Sequence, residues 1–153
     1  MNISIRSIRA FSLIELVIVV VIIAIIGAIA IPKMSRGAAG ANDAALLQDL
    51  SVMRKAIEHY AQEHNGSYPP VDSFRKQLTK FTDEFGNVSN PGGPPFIYGP
   101  YLTSVPELPV GAGGGQVAAA DGPGVGWIYD ETTGNLSANT TATDARGVPY
   151  SSY

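Results

Sequence analysis

Between Phe11 and Ile31 every residue except Ser12 and Glu15 is apolar or glycine, and Arg6 and Arg9 stand just ahead of the run. As a helix these 21 residues rise about 31 Å, enough to span a hydrocarbon layer of about 30 Å. Twelve Leu, Ile and Val residues lie between Leu16 and Ile31. They favour insertion by roughly 4–7 kcal/mol, against about 2.5–3.5 kcal/mol for one carboxylate carried to mid-bilayer. Insertion wins, so Glu15 enters with its helix and needs a partner or a shallow position.

Three N-terminal arrangements fit this pattern. In a secretory signal, Arg6 and Arg9 are the basic part and Ala28-Ile29-Ala30 offers small residues for cleavage, although the apolar stretch exceeds the usual core of about 7–15 residues. A plain uncleaved anchor accounts for the length and leaves Glu15 without a role. In the third arrangement the cut falls before the apolar segment, at Ala10/Phe11, and the helix stays in the product. The residues Arg9-Ala10-Phe11-Ser12-Leu13-Ile14-Glu15-Leu16 resemble the processing motif of type IV pilins and of the pseudopilins of type II secretion.

That resemblance implies cleavage by a prepilin peptidase before Phe11 and methylation of the new Phe11 amine. It also implies an assembly role for Phe11 and Glu15 together, and a helix kink at Pro32. The family usually has glycine where this chain has Ala10, which implies slower processing. The new positive amine would stand four residues before Glu15, at a helix end whose dipole already favours an acid. Such an amine–carboxylate pair between subunits fixes register, with small net stabilisation after desolvation. Lys33 and Arg36 follow the span closely, so the positive-inside count is nearly balanced. A head outside the cytoplasm therefore rests on the resemblance.

About 90 of the 153 residues lie beyond this N-terminal pattern, which suggests one small domain on a stalk with little room for an enzyme cleft. The formal charge is −3, and the first ten residues hold Arg6 and Arg9 but no acid. An acidic balance of this kind offers no footprint for nucleic acid. There is no cysteine, hence neither a disulfide nor a thiolate metal site.

Pro32 removes a main-chain donor, with Gly27, Gly37 and Gly40 weakening the turns around it, so a kink or unwinding is expected between Ala24 and Pro32. Farther on, Leu46, Leu50, Met53, Ile57 and Tyr60 recur in steps of four and three and draw one apolar stripe. Asp49, Lys55, Glu58, Gln62 and Glu63 occupy the other side, and Asn65-Gly66 supplies a left-handed stop. Phe74, Leu78, Phe81 and Phe85 fit one face of a short helix capped by Asp72 or Ser73. Gly or Pro fills 18 of the 41 positions from Gly86 to Gly126, a wandering loop with one short strand near Gln116 to Ala119. Val125–Tyr129 and Leu136–Asn139 read as a hairpin on the stripe, with Trp127 or Ile128 buried. The tail from Thr140 to Tyr153 reads as loosely held.

The stretch from Asp49-Leu50-Ser51 to Ala56-Ile57, with Tyr60 and Asn65-Gly66-Ser67-Tyr68-Pro69, is similar to the major (G-type) pseudopilin. Gly99-Pro100-Tyr101-Leu102 and Val105-Pro106 echo it too, but Glu107-Leu108-Pro109-Val110 replaces the Asp-Pro-Trp-Gly element expected next. The resulting expectation is an α+β, pilin-like fold: a long N-terminal helix, hydrophobic in its first half, packed by its second half on a small antiparallel sheet. Its segments are a leader (1–10), a transmembrane and filament-core helix (11–34), an amphipathic helix (35–65) and a globular head (66–153).

The function implied is a structural subunit, not an enzyme, anchored once in the inner membrane and assembled as a homo-oligomeric filament. Its implied partners are the prepilin peptidase, other pilin-like subunits and the inner-membrane assembly platform. A type IV pilin for adhesion, motility or DNA uptake and a monomeric anchored binding module are the alternatives. No cofactor and no metal site is expected from the residues; the resemblance adds calcium as a candidate ligand, for which Asp121, Asp130 and Asp144 could supply oxygens although their spacing matches no calcium-loop motif. His59 and His64 are expected to face solvent, and Gly122-Pro-Gly124-Val-Gly126 precedes a strand and so carries no dinucleotide signal.

Overall fold

The computed structural model describes residues 11–111 and 114–153, the side chains of 29–39 excepted. The leader expected at 1–10, including Arg6, Arg9 and Ala10, lies outside the described residues. The chain divides into two compact units, Met1–Ala38 and Ala39–Tyr153.

Helix α1 runs from Leu13 to Glu63, 51 residues. Its backbone is α-helical at every position from Ala24 to Pro32, so the unwinding expected there does not occur. Proline forfeits one main-chain hydrogen bond at a cost of about 3 kcal/mol. Each flanking residue still adds a bond of its own, and a helix this long propagates past the defect. The stop at Asn65-Gly66 is as expected: Asn65 has φ 57° and Gly66 φ 81°, and the Gly66 amide donates to the Ala61 carbonyl at 2.8 Å. That six-to-one bond with a left-handed residue before its donor is the Schellman arrangement.

In the second unit the α1 stripe forms the floor of the core. Leu46, Leu50, Met53, Ile57 and Tyr60 are buried together with Phe74, Leu78, Trp127, Tyr129 and Leu136. The expected hairpin is present, with β4 (Val125–Asp130) antiparallel to β5 (Asn135–Ala138) and Trp127 fully buried. Trp127 Nε1 donates to the Pro106 carbonyl at 2.9 Å, which removes the cost of burying an indole N–H.

The sheet is mixed, which corrects the antiparallel expectation. Strand β3 (Gln116–Ala118) pairs in parallel with β4, while β1 (Phe81–Thr82) and β2 (Val88–Ser89) form a separate antiparallel pair. The glycines make the parallel pairing feasible. A Cβ on Gly126 would run into the Gly114 carbonyl, so only glycine lets the two backbones approach so closely.

Three further expectations are corrected. Helix α2 is only Phe74–Thr79, because Lys80 turns to extended backbone (φ −127°, ψ 172°), and its N-cap Ser73 makes no side-chain capping bond. Phe74 and Leu78 are buried, Phe81 joins β1, and Phe85 is 81 % exposed. His59 is exposed, but His64 is buried, its ring stacked on Tyr60 with 3.8 Å between centroids. Lying four residues after Tyr60, His64 prolongs the inward stripe by one turn.

The tail is held, not loose. Tyr150 is buried in the core and its hydroxyl donates to Asp43. Asp144 accepts from the Val148 amide (2.9 Å) and the Tyr153 hydroxyl (2.6 Å) and pairs with Arg146 at 2.8 Å. Arg54 reaches from α1 to the carbonyls of Leu136 (2.7 Å) and Tyr153 (2.8 Å). Short polar residues concealed this network in the sequence because its partners lie as far as 107 positions apart.

Candidate assembly site at the start of the N-terminal helix

Phe11 and Ser12 precede α1, and the Ser12 carbonyl accepts from the amides of Glu15 (3.0 Å) and Leu16 (3.2 Å). Ser12 thus stands at the N-cap, and Ser12-x-x-Glu15 has the spacing of a capping box. This local pattern gives Glu15 a first-turn position whatever else the residue does. Glu15 is exposed and is the acid of the first turn, where the unpaired amides of the helix end favour a negative charge.

Behind Glu15 the helix has no polar face. Thirteen large apolar residues from Phe11 to Ile26 are exposed, from 43 % at Val17 to 80 % at Leu13. Eight of them are consecutive, Leu16 to Ile23, and at 100° per residue they cover every side of the cylinder. Their burial by lipid or by other helices is worth on the order of 10 kcal/mol at about 25 cal/mol per Å². A helix apolar all round belongs in a membrane or a protein interior. Among the described residues no helix is long and apolar enough to cross a membrane. The apolar sequence itself continues to Ile31.

The remaining candidates fall as follows. Phe11 is 74 % exposed at the head of the segment, Ala10 is outside the described residues, and Pro32 lies within α1. Asp121, Asp130 and Asp144 serve separate loops. Asp121 accepts from Asn139 at 2.7 Å. Asp130 is bonded by the Thr132 hydroxyl and amide and by the Thr133 hydroxyl, which hold its carboxyl at about 2. The Tyr153 hydroxyl and the Val148 and Arg146 donors hold the Asp144 carboxyl well below the ordinary carboxylate range. Among the described residues no three His, Cys, Asp or Glu side chains gather where they could hold a metal ion.

Residues 5–31 match the family described as the prokaryotic N-terminal methylation motif. No curated protein and no solved structure matches the chain. The motif indicates a type IV pilin- or pseudopilin-like structural protein, non-enzymatic, and implies processing by prepilin peptidase, inner-membrane anchoring and pilus-like assembly in general.

Proposed function

We propose that this chain is the major, repeating pseudopilin of a type II protein secretion system. It is cut between Ala10 and Phe11, methylated on the Phe11 amine, and added to a helical filament through that amine and the Glu15 carboxylate of a neighbouring copy. The observation that carries this reading is the helix apolar on every side, with one acid in its first turn and the methylation motif laid over it. Residues 1–10 are the leader, 11–34 the membrane and filament-core segment, 35–65 the amphipathic helix and 66–153 the head. Pro32 is a point of bending, where one missing main-chain bond makes the helix easiest to deform during packing.

Before assembly the protein sits in the inner membrane as a single-pass subunit with its head outside the cytoplasm. It meets the prepilin peptidase, the assembly platform and other pilin-like subunits there. The secretion assignment is supported by Asn65-Gly66-Ser67-Tyr68-Pro69 at the helix end and by the absence of cysteine. Deleting the gene and measuring protein release alongside surface fibres tests it. Loss of release with fibres intact is expected. Loss of surface fibres with release intact would assign the subunit to a type IV pilus instead, and no effect on either would leave a monomeric binding module as the better account.

A further inference from the structure

One apolar surface of the second unit takes no part in its core. Phe85 is 81 % exposed and Ile97 62 % exposed. With Pro94, Pro95, Tyr98 and Glu84 they line an open groove of about 390 Å³. Phe85 is held outward by a fixed turn: Asp83 Oδ1 accepts from the Phe85 amide (3.0 Å) and the Asn87 amide (2.9 Å), and its Oδ2 from Asn87 Nδ2 (2.9 Å). Those same bonds hold the Asp83 carboxyl below its ordinary range. Asp83 is thereby committed to the turn, and Glu84 is the exposed acid at the groove.

We propose that this groove receives the solvent face of α1 from a second copy of the chain, with Leu47 and Val52 against Phe85 and Ile97 and with Lys55 against Glu84. The inference rests on the assembly reading above. Leu47 and Val52 are 54 % and 48 % exposed, and at 100° per residue they flank Lys55 within one arc of about 140° that also holds exposed Glu58, which accepts from the Tyr68 hydroxyl at 3.4 Å. Lys55 and Glu84 are both exposed and carry opposite charges. Among the described residues the one ion pair is Arg146–Asp144, so neither charge is already engaged.

One groove and one helix arc bury far less than the roughly 1,200 Å² of a stable pair, so isolated heads stay monomeric. Copies joined through their N-terminal helices meet at effective concentrations of about millimolar, where a small contact suffices. Opposite charge across it sets register and rejects wrong pairings.

The test uses the full chain in assembled filaments, which contains no native cysteine. Oxidation of the Phe85→Cys, Leu47→Cys double variant should give a ladder of cross-linked multimers that neither single variant gives. Independently, Glu84→Lys and Lys55→Glu should each lower filament yield about tenfold, and together restore it to within about twofold. Normal filaments of the double variant with no ladder, cross-links that join position 85 only to position 85 or to another protein, or charge reversals whose losses add would each overturn the docking. Absence of wild-type filaments would overturn the assembly reading and the docking with it.

Discussion

Replacing Glu15 by alanine separates what this residue does for its own helix from what it does between copies. In the single chain Glu15 is exposed in the first turn of α1. There it contributes about 0.3–1 kcal/mol through the helix dipole, and alanine returns a few tenths of a kcal/mol in propensity. The isolated subunit should therefore fold and insert as before, with its head unchanged. In the proposed filament the same change would leave a Phe11 amine without its counter-charge in a low-dielectric core, a loss of about 3–5 kcal/mol. At about 1.4 kcal/mol per tenfold, that is roughly a hundred- to a few thousand-fold weaker addition of each subunit. Sedimentable filament recovered from membranes is the readout, with head Tm measured on the same preparation. Filaments at wild-type yield from Glu15→Ala would refute the reasoning, and so would a collapse of head Tm, since that would place the effect in folding.

Other outcomes follow from the same geometry. Leu50 is 1 % exposed at the centre of the α1 stripe, so Leu50→Ala should destabilise the second unit by about 2–5 kcal/mol in urea unfolding. Asp130, held at about 2 from an ordinary 3.8, and Asp144, also lowered, have folded-state values below their unfolded ones. The stability they contribute is thus complete above the unfolded value and is lost as pH falls through the folded values. Circular dichroism between pH 5 and 2 should show that loss, less steeply in Asp144→Asn. Ala10→Gly should speed removal of the leader in a pulse-chase, because glycine is what the resembled motif carries before the cut.

Much of the second unit could be read from local pattern. The stripe from Leu46 to Tyr60 shows the helical period, Asn65-Gly66 is a turn chemistry that only a left-handed cap needs, and alternation marks Val125 to Tyr129. What stayed hidden depends on contacts distant in the chain. The parallel pairing of β3 and β4 needs glycine at both 114 and 126, and no local period announces such a match. The tail is fastened by Tyr150 to Asp43 and by Arg54 to Tyr153, between residues about 100 positions apart. Phe81 and Phe85 have helical spacing, but Lys80 leaves the helix, and tertiary packing then decides between burial and exposure. The N-terminal methylation motif was legible because its pattern is local: a small residue, Ala10, an aromatic residue, Phe11, and an acid four positions later, Glu15.

The central claim is that the apolar helix survives processing and begins with a modified Phe11. Intact-mass and N-terminal peptide mass spectrometry of the protein recovered from membranes tests it directly. A mature chain starting at singly methylated Phe11, with residues 1–10 gone and Glu15 retained, is the predicted result. A chain starting at Ile31, or one still carrying Met1 to Ala10, would contradict the account.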